Sequence, residues 1–344
     1  MHSYVVQDAA GMVKLDAMEN PHRLSPALQA ELGQRLGAVA LNRYPDGRVD
    51  QLRQALAAHT RLPEGYGLLL GNGSDELISL LAIACDQPGA SVLAPLPGFV
   101  MYAMGAQLQG LQFVGVPLSA DFALDLPAML AAMAQQQPAI VYLAYPNNPS
   151  ANLWDDEAMA QVIAAAPGLV VIDEAYQPFS SKTYLDVIRR DPARHSHVLL
   201  MRTLSKFGLA GVRLGYLIGP QALVHEVDKV RPPYNVSLLN CECALFALEH
   251  AEVFAAQAQD IRAQRAIVFE ALKGLPGVHV WPSDANMLLL RVPDASKTFD
   301  GMRAQGVLVK NVSKMHPLLA NCLRLTIGTA DENQRMLAAL QKSL

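Results

Sequence analysis

No apolar run in the chain is much longer than about nine residues (77–85, broken only by Ser79), and a membrane-crossing helix needs about twenty. Charge of one sign is also scarce. With 27 basic and 31 acidic residues the net charge is −4, and no long basic run offers a nucleic-acid surface. Only four cysteines occur, Cys85, Cys241, Cys243 and Cys322, with no CxxC pair among them. Cys241-Glu-Cys243 has no Cys or His pair nearby at ligand spacing, so small core residues are expected rather than a metal site, in a reducing cytoplasm. The opening MHSYVVQDAA lacks a charged leader and is interrupted by Asp8, which argues against a signal peptide. Charged residues are 17% of the total and hydrophobic ones 51%, so the chain is globular, and 344 residues suffice to bury a large core.

What is present is an alternation. Short runs rich in branched apolar residues at 91–94, 111–116, 139–144, 169–172, 198–201 and 214–218 read as strands. Helical patterns at 77–85, 99–107, 127–136 and 155–166 alternate with them, and a Ser25-Pro26 start with Gly37 as its stop marks another helix further upstream. The spacing predicts an α/β protein with a mostly parallel central sheet covered by helices. Near residue 245 the rhythm changes. Two consecutive helices at 236–249 and 251–272 lead into strands at 278–281, 287–292 and 323–327, a smaller α+β domain. The expected division is 1–35 as an N-terminal segment packing on the small domain, 36–245 as the large domain and 246–344 as the small one.

The chemistry gathers where strands end, which is where open α/β sheets place their ligand crevices. Lys206 follows the strand at 198–201 in Thr203-Leu-Ser-Lys206. A lysine desolvated there beside another cation becomes a nucleophilic amine able to form a Schiff base. Arg213 adds a forked cation suited to a phosphate, and Gly73-Ser74-Asp75 at a helix start adds backbone N–H groups and a hydroxyl. Asp173, at the end of the strand 169–172, suits a protonated pyridine nitrogen, and Tyr176 and Asn148 suit a phenolic oxygen. Phe99 can stack on a ring. Each has an ordinary alternative as cap, turn or core residue. Together, in this order, they point to pyridoxal 5'-phosphate.

These motifs resemble those of the fold type I aminotransferases, and among them the class II group of histidinol-phosphate aminotransferases, from about Lys14 almost to the C-terminus. The resemblance rests on LDAMENP (15–21), NRYP (42–45), GSDE (73–76), NNP (147–149), DEAY (173–176), TLSK (203–206), AGVR (210–213) and CLRLTIGT (322–329). It implies that Lys206 carries the cofactor and shuttles a proton, that Asp173 pairs with the pyridinium, that Tyr176 and Asn148 meet the ring oxygen, and that Phe99 stacks. Ser74, Asp75, Thr203, Ser205 and Arg213 would surround the phosphate. Tyr44 would reach the phosphate of a partner subunit, which makes a homodimer with shared sites the expectation. Arg324 would clamp the anion of histidinol phosphate or of glutamate and 2-oxoglutarate, with Asn20 in the same pocket.

Three departures stand out. Asn148-Pro-Ser-Ala151 replaces the family's usual NPTG, and alanine is a poor substitute for glycine where positive φ is required. Lys310 stands where an arginine is expected, and little N-terminal arm precedes the first motif. Rival readings are an aromatic or broad-range aminotransferase, or a threonine-phosphate decarboxylase, of the same fold, and a non-catalytic binding module. A hydrolase built on Thr203 or Ser205 with Lys206 is disfavoured because adjacent strand-like residues point apart. The third glycine of a dinucleotide fingerprint is missing after Gly71-Asn-Gly73.

Overall fold

Successive residues of a strand face opposite sides, so a sheet buried on both needs strands that are apolar throughout. That is the pattern in the computed structural model, which describes residues 7–344. The first six residues of the opening stretch and of the segment 1–35 lie outside the described residues. The strands are β1 (Val13–Lys14), β2 (Tyr66–Gly71), β3 (Ser91–Leu96), β4 (Gln112–Pro117), β5 (Ile140–Ala144), β6 (Leu169–Asp173) and β7 (Val198–Thr203). They continue with β8 (Gly215–Pro220), β9 (His279–Val280), β10 (Met287–Arg291), β11 (Val307–Leu308), β12 (Lys310–Asn311) and β13 (Cys322–Thr326).

Seven of these form the central sheet in the order β2-β8-β7-β6-β5-β3-β4. β8 runs antiparallel to both its neighbours and the remaining pairs are parallel. The mostly parallel sheet expected from the sequence is therefore present, with two differences. β2 is not among the expected strands, and the strand expected at 214–218 is the antiparallel member. Leu68, Leu70, Leu143, Ile172 and Leu200 pack into one apolar layer, while Leu69, Tyr142, Val171, Leu199 and Met201 pack into the other.

A second sheet, β12-β13-β10-β9, is antiparallel and carries its own core. That core includes Val13, Leu15 and Met18 beside Ile261, Leu288, Leu290, Leu323 and Leu325. The N-terminal stretch is held there by strand pairing, Val13 opposite Val307, and by the Leu15 N–H donating to the Leu308 carbonyl at 2.8 Å. Residues 16–19 are thereby carried across to the carboxyl ends of β5, β6 and β7. The helix Pro26–Gly37 begins as expected, with Ser25 accepting from the Leu28 N–H, but none of its residues is buried within the single chain. No helix among the described residues is long and apolar enough to cross a membrane.

Candidate active site

β5, β6 and β7 lie side by side in register, Ala144 opposite Asp173 and Asp173 opposite Met201, so the loops that follow them open on one place. A cleft of about 620 Å³ lies there. Ten of the residues expected at the site line it: Ser74, Asp75, Phe99, Asn148, Asp173, Tyr176, Thr203, Ser205, Lys206 and Arg213. The opposite wall comes from residues 14 and 16–19 and from Lys310.

Lys206 sits in a tight turn, Ser205–Leu209, that directly follows β7. Gly208 takes φ 139° in that turn, and a Cβ there would stand 2.9 Å from the Phe254 ring. Lys206 Nζ donates to the Ala17 carbonyl at 3.0 Å. Burial, then the nearby Arg324 guanidinium, brings its ammonium down to about 8. A substantial fraction of free amine at neutral to mildly basic pH follows. Neither Thr203 nor Ser205 pairs with this amine. Thr203 Oγ1 donates to Ser205 Oγ at 2.9 Å, and Arg213 Nη1 donates to the same hydroxyl at 3.3 Å. The Ser–Lys hydrolase geometry is not formed.

Arg213, Gly73 and Ser74 make a cradle. The helix Ser74–Ala84 starts after Gly73, which has φ 86° and offers no capping side chain, so the first N–H groups are not claimed by a side-chain cap. Such an end attracts anions. Arg213, itself in the left-handed region at φ 56°, reaches Asp75 Oδ2 with Nη2 at 3.2 Å. A Cβ at Gly73 would stand 2.7 Å from that same Nη2.

Asp173 is fully enclosed on the other side of the cleft. Its Oδ2 accepts from the Tyr102 hydroxyl at 2.7 Å and its Oδ1 from the Ala175 N–H at 3.0 Å. Burial pushes its carboxyl up to about 6, against those two hydrogen bonds. A positive partner in the cleft would reverse that penalty. Glu174, one residue on, projects to the opposite face and pairs there with Arg202 at 2.8 Å. Asn148 Nδ2 donates to the Tyr176 hydroxyl at 3.0 Å, so the two groups expected at a ring oxygen already face each other.

Three expected residues stand elsewhere. Arg324 on β13 does not line the cleft but is joined to residues that do: Nη1 donates to Asn148 Oδ1 at 2.7 Å and Nη2 to the Asp16 carbonyl at 2.8 Å. Its cross-strand neighbour Lys310 does line it. Asn20 lies beside the cleft, its amide donating to Gln257 Oε1 at 2.9 Å and to the Phe207 carbonyl at 3.3 Å, so its hydrogen bonds pin the N-terminal segment behind Lys206. Tyr44 is 76% exposed, away from the cleft of its own chain, and stacks on Tyr234. Tyr102 is a site residue that the sequence does not single out. A tyrosine three residues after Phe99 on the same helix is the one signal that points to it, and in an apolar helix such a residue reads as core.

The cradle, the lysine with its lowered ammonium and the buried carboxylate fit pyridoxal phosphate: an anion site, an amine and a partner for a ring cation in one cleft. A fold of this topology with these groups at the strand ends defines the class of pyridoxal-phosphate-dependent transferases of fold type I. Residues 10–340 match the family model of aminotransferase class I and II, and the chain belongs to that family. It is 70% identical to a histidinol-phosphate aminotransferase of Polaromonas naphthalenivorans, over 100% of this chain and 94% of that one. It is 67% identical to another from Methylibium petroleiphilum, over 99% and 92%. Among solved structures, the histidinol-phosphate aminotransferase of Sinorhizobium meliloti in complex with pyridoxal-5'-phosphate superposes with a TM-score of 0.83 at 25% identity. That match covers 96% of this chain and 90% of the other.

Proposed function

We propose that this chain is a pyridoxal-phosphate-dependent aminotransferase that exchanges an amino group between L-histidinol phosphate and 2-oxoglutarate, giving imidazole acetol phosphate and glutamate. The observation that carries the reading is one cleft holding Lys206 with an ammonium lowered to about 8, the enclosed Asp173 and the Gly73–Arg213 cradle. The names of the relatives supply the substrate.

When bound, the cofactor supplies a ring that withdraws electrons from the substrate carbon bearing the amino group. The protein's residues do the rest. Ser74, Thr203, Ser205, Arg213 and Asp75, the last mainly through its backbone, would hold the phosphate. Asp173 holds a proton on the ring nitrogen, because its buried carboxylate is stabilised by that positive charge. Asn148 and Tyr176 donate to the ring oxygen, and Phe99 covers one face. Lys206 Nζ would hold the cofactor and would be the general base that moves the proton of that carbon, tuned near the working pH. Lys310 would meet the substrate's phosphate or carboxylate at the cleft wall, and Arg324, behind Asn148, would reach the same anion by exchanging its present partners for it. Asn20 supports the wall behind Lys206. Tyr44 completes the site of a second copy, so the working form is a homodimer. The four free cysteines suit a reducing cytoplasm.

A single-turnover absorbance experiment with histidinol phosphate and no oxo acid tests this reading. Loss of the lysine-bound cofactor band with release of pyridoxamine phosphate is expected, and Lys206→Ala should show neither. A band that responds to phenylalanine and ignores histidinol phosphate would overturn the substrate assignment. Absence of any band after adding the cofactor would overturn the chemistry.

A further inference from the structure

Tyr102 belongs to the helix Val100–Gln109, packed on the sheet over β3 and β4, and is 2% exposed. Its ring lies 4.3 Å from that of Tyr142 on β5, nearly parallel at 5°, and meets the Phe99 ring edge-on at 5.6 Å. Packed between these rings, it donates from its hydroxyl to Asp173 Oδ2 at 2.7 Å. The phenol's own ionisation is pushed well above its ordinary range by burial and by Asp173, so it remains a neutral donor. The other titratable groups around Asp173 are Tyr142, Tyr176, Asp75 and Glu174. Among the hydrogen bonds of the described residues, those from Tyr102 and the Ala175 N–H are the ones that reach this carboxylate.

We propose that Tyr102 is a positioning residue for the reaction: its hydroxyl fixes the orientation of the Asp173 carboxylate and keeps it anionic, so that it would meet the protonated ring nitrogen of pyridoxal phosphate as its counter-ion. The proposal rests on the cofactor reading above. A carboxylate enclosed among aromatic rings is poorly solvated, and a hydrogen bond to a charged acceptor is worth more than one between neutral groups. The Ala175 N–H holds one oxygen by backbone geometry. Tyr102 holds the other from a different element, so together they fix the carboxylate plane. Removing the hydroxyl while keeping the ring leaves the packing in place and deletes only this bond.

The test is Tyr102→Phe. The cofactor-free chain is titrated first, by the carbon-13 carboxyl signal of Asp173 assigned through its loss in Asp173→Asn. The midpoint is expected to move upward by about one pH unit or more. After loading, the nitrogen-15 signal of labelled cofactor should shift toward the unprotonated form. Turnover should fall about tenfold, with KM for histidinol phosphate changed by less than about twofold. A 3-fluorotyrosine installed at position 102 is a more acidic donor and should move the midpoint the other way, a sign change that a packing role does not produce. This variant decides the matter if Tyr102→Phe folds poorly. Unmoved midpoints in both variants, with normal loading, would overturn the role of Tyr102 alone. Failure of the unaltered chain to take up pyridoxal phosphate would overturn the cofactor reading and this assignment with it.

Discussion

Lys206 is displaced downward and Asp173 upward from their ordinary values, and burial is the first cause of both. The signs have separate consequences. Lys206 is lowered to about 8, so between there and the ordinary lysine value near ~10.4 the unfolded chain binds more protons and stability rises with pH. Asp173 is raised to about 6, so between the ordinary value near ~3.9 and there the folded chain binds more protons and stability falls as pH rises. The cofactor-free protein thus carries two unfavourable charges near neutral pH: an ammonium below about 8 and a carboxylate above about 6. On the proposed reading each would be relieved by a cofactor that takes up the lysine nitrogen and brings a cation to the carboxylate. Because the free amine is the nucleophile, the rate of pyridoxal phosphate uptake should rise about tenfold per pH unit up to about 8 and flatten beyond. Stopped-flow absorbance over pH 6–10 measures this. A rise continuing to pH 10 would mean an ordinary exposed lysine.

At the scale of the elements, the strand ends and helix starts are where the site is legible in the sequence. Thr203-Leu-Ser-Lys206 and Asp173-Glu-Ala-Tyr176 follow strongly apolar runs, so their place at carboxyl ends is dictated by local pattern. β1, β11 and β12 are two residues each and exist only because distant partners meet them, which no local pattern encodes. β2 escapes the sequence pattern because Gly71-Asn-Gly73 marks the helix it opens more plainly than the strand it closes. Ala151 does adopt the left-handed φ, 63°, that the NPTG comparison anticipates, buried with its N–H donating to the Asn147 carbonyl at 2.9 Å. The cradle also depends on contact between elements. A Cβ at Gly215, on β8, would stand 2.8 Å from the Gly73 carbonyl carbon and 2.9 Å from the Ser74 nitrogen. Both are backbone atoms, so Gly215→Ala must displace the helix start relative to β8 and disturb the cradle. The expected result is a folded protein whose affinity for pyridoxal phosphate falls about tenfold or more, by loss of the aimed N–H groups. Affinity for pyridoxal, which lacks the phosphate, should be little altered. Equal losses for both would place the damage at Lys206 instead.

At the scale of the whole molecule, one expected residue finds no use within a single chain. Tyr44, 76% exposed, stacks on Tyr234, 55% exposed, at 4.6 Å, and Leu41, three residues before Tyr44, is 71% exposed. If two copies face each other around a two-fold axis, each Tyr44 can complete the other's phosphate site, and the symmetry makes the test arithmetic. Lys206→Ala removes the nucleophile and Tyr44→Ala removes the phosphate contact, so at limiting cofactor both homodimers should be weak. In a mixed dimer one site carries both lesions and the other carries neither, because Lys206 comes from one chain and Tyr44 from its partner. Co-expression with random pairing should therefore restore activity to about a quarter of the unaltered enzyme's. Were Tyr44 to act within its own chain, every site of the mixed dimer would carry one lesion and mixing would restore nothing.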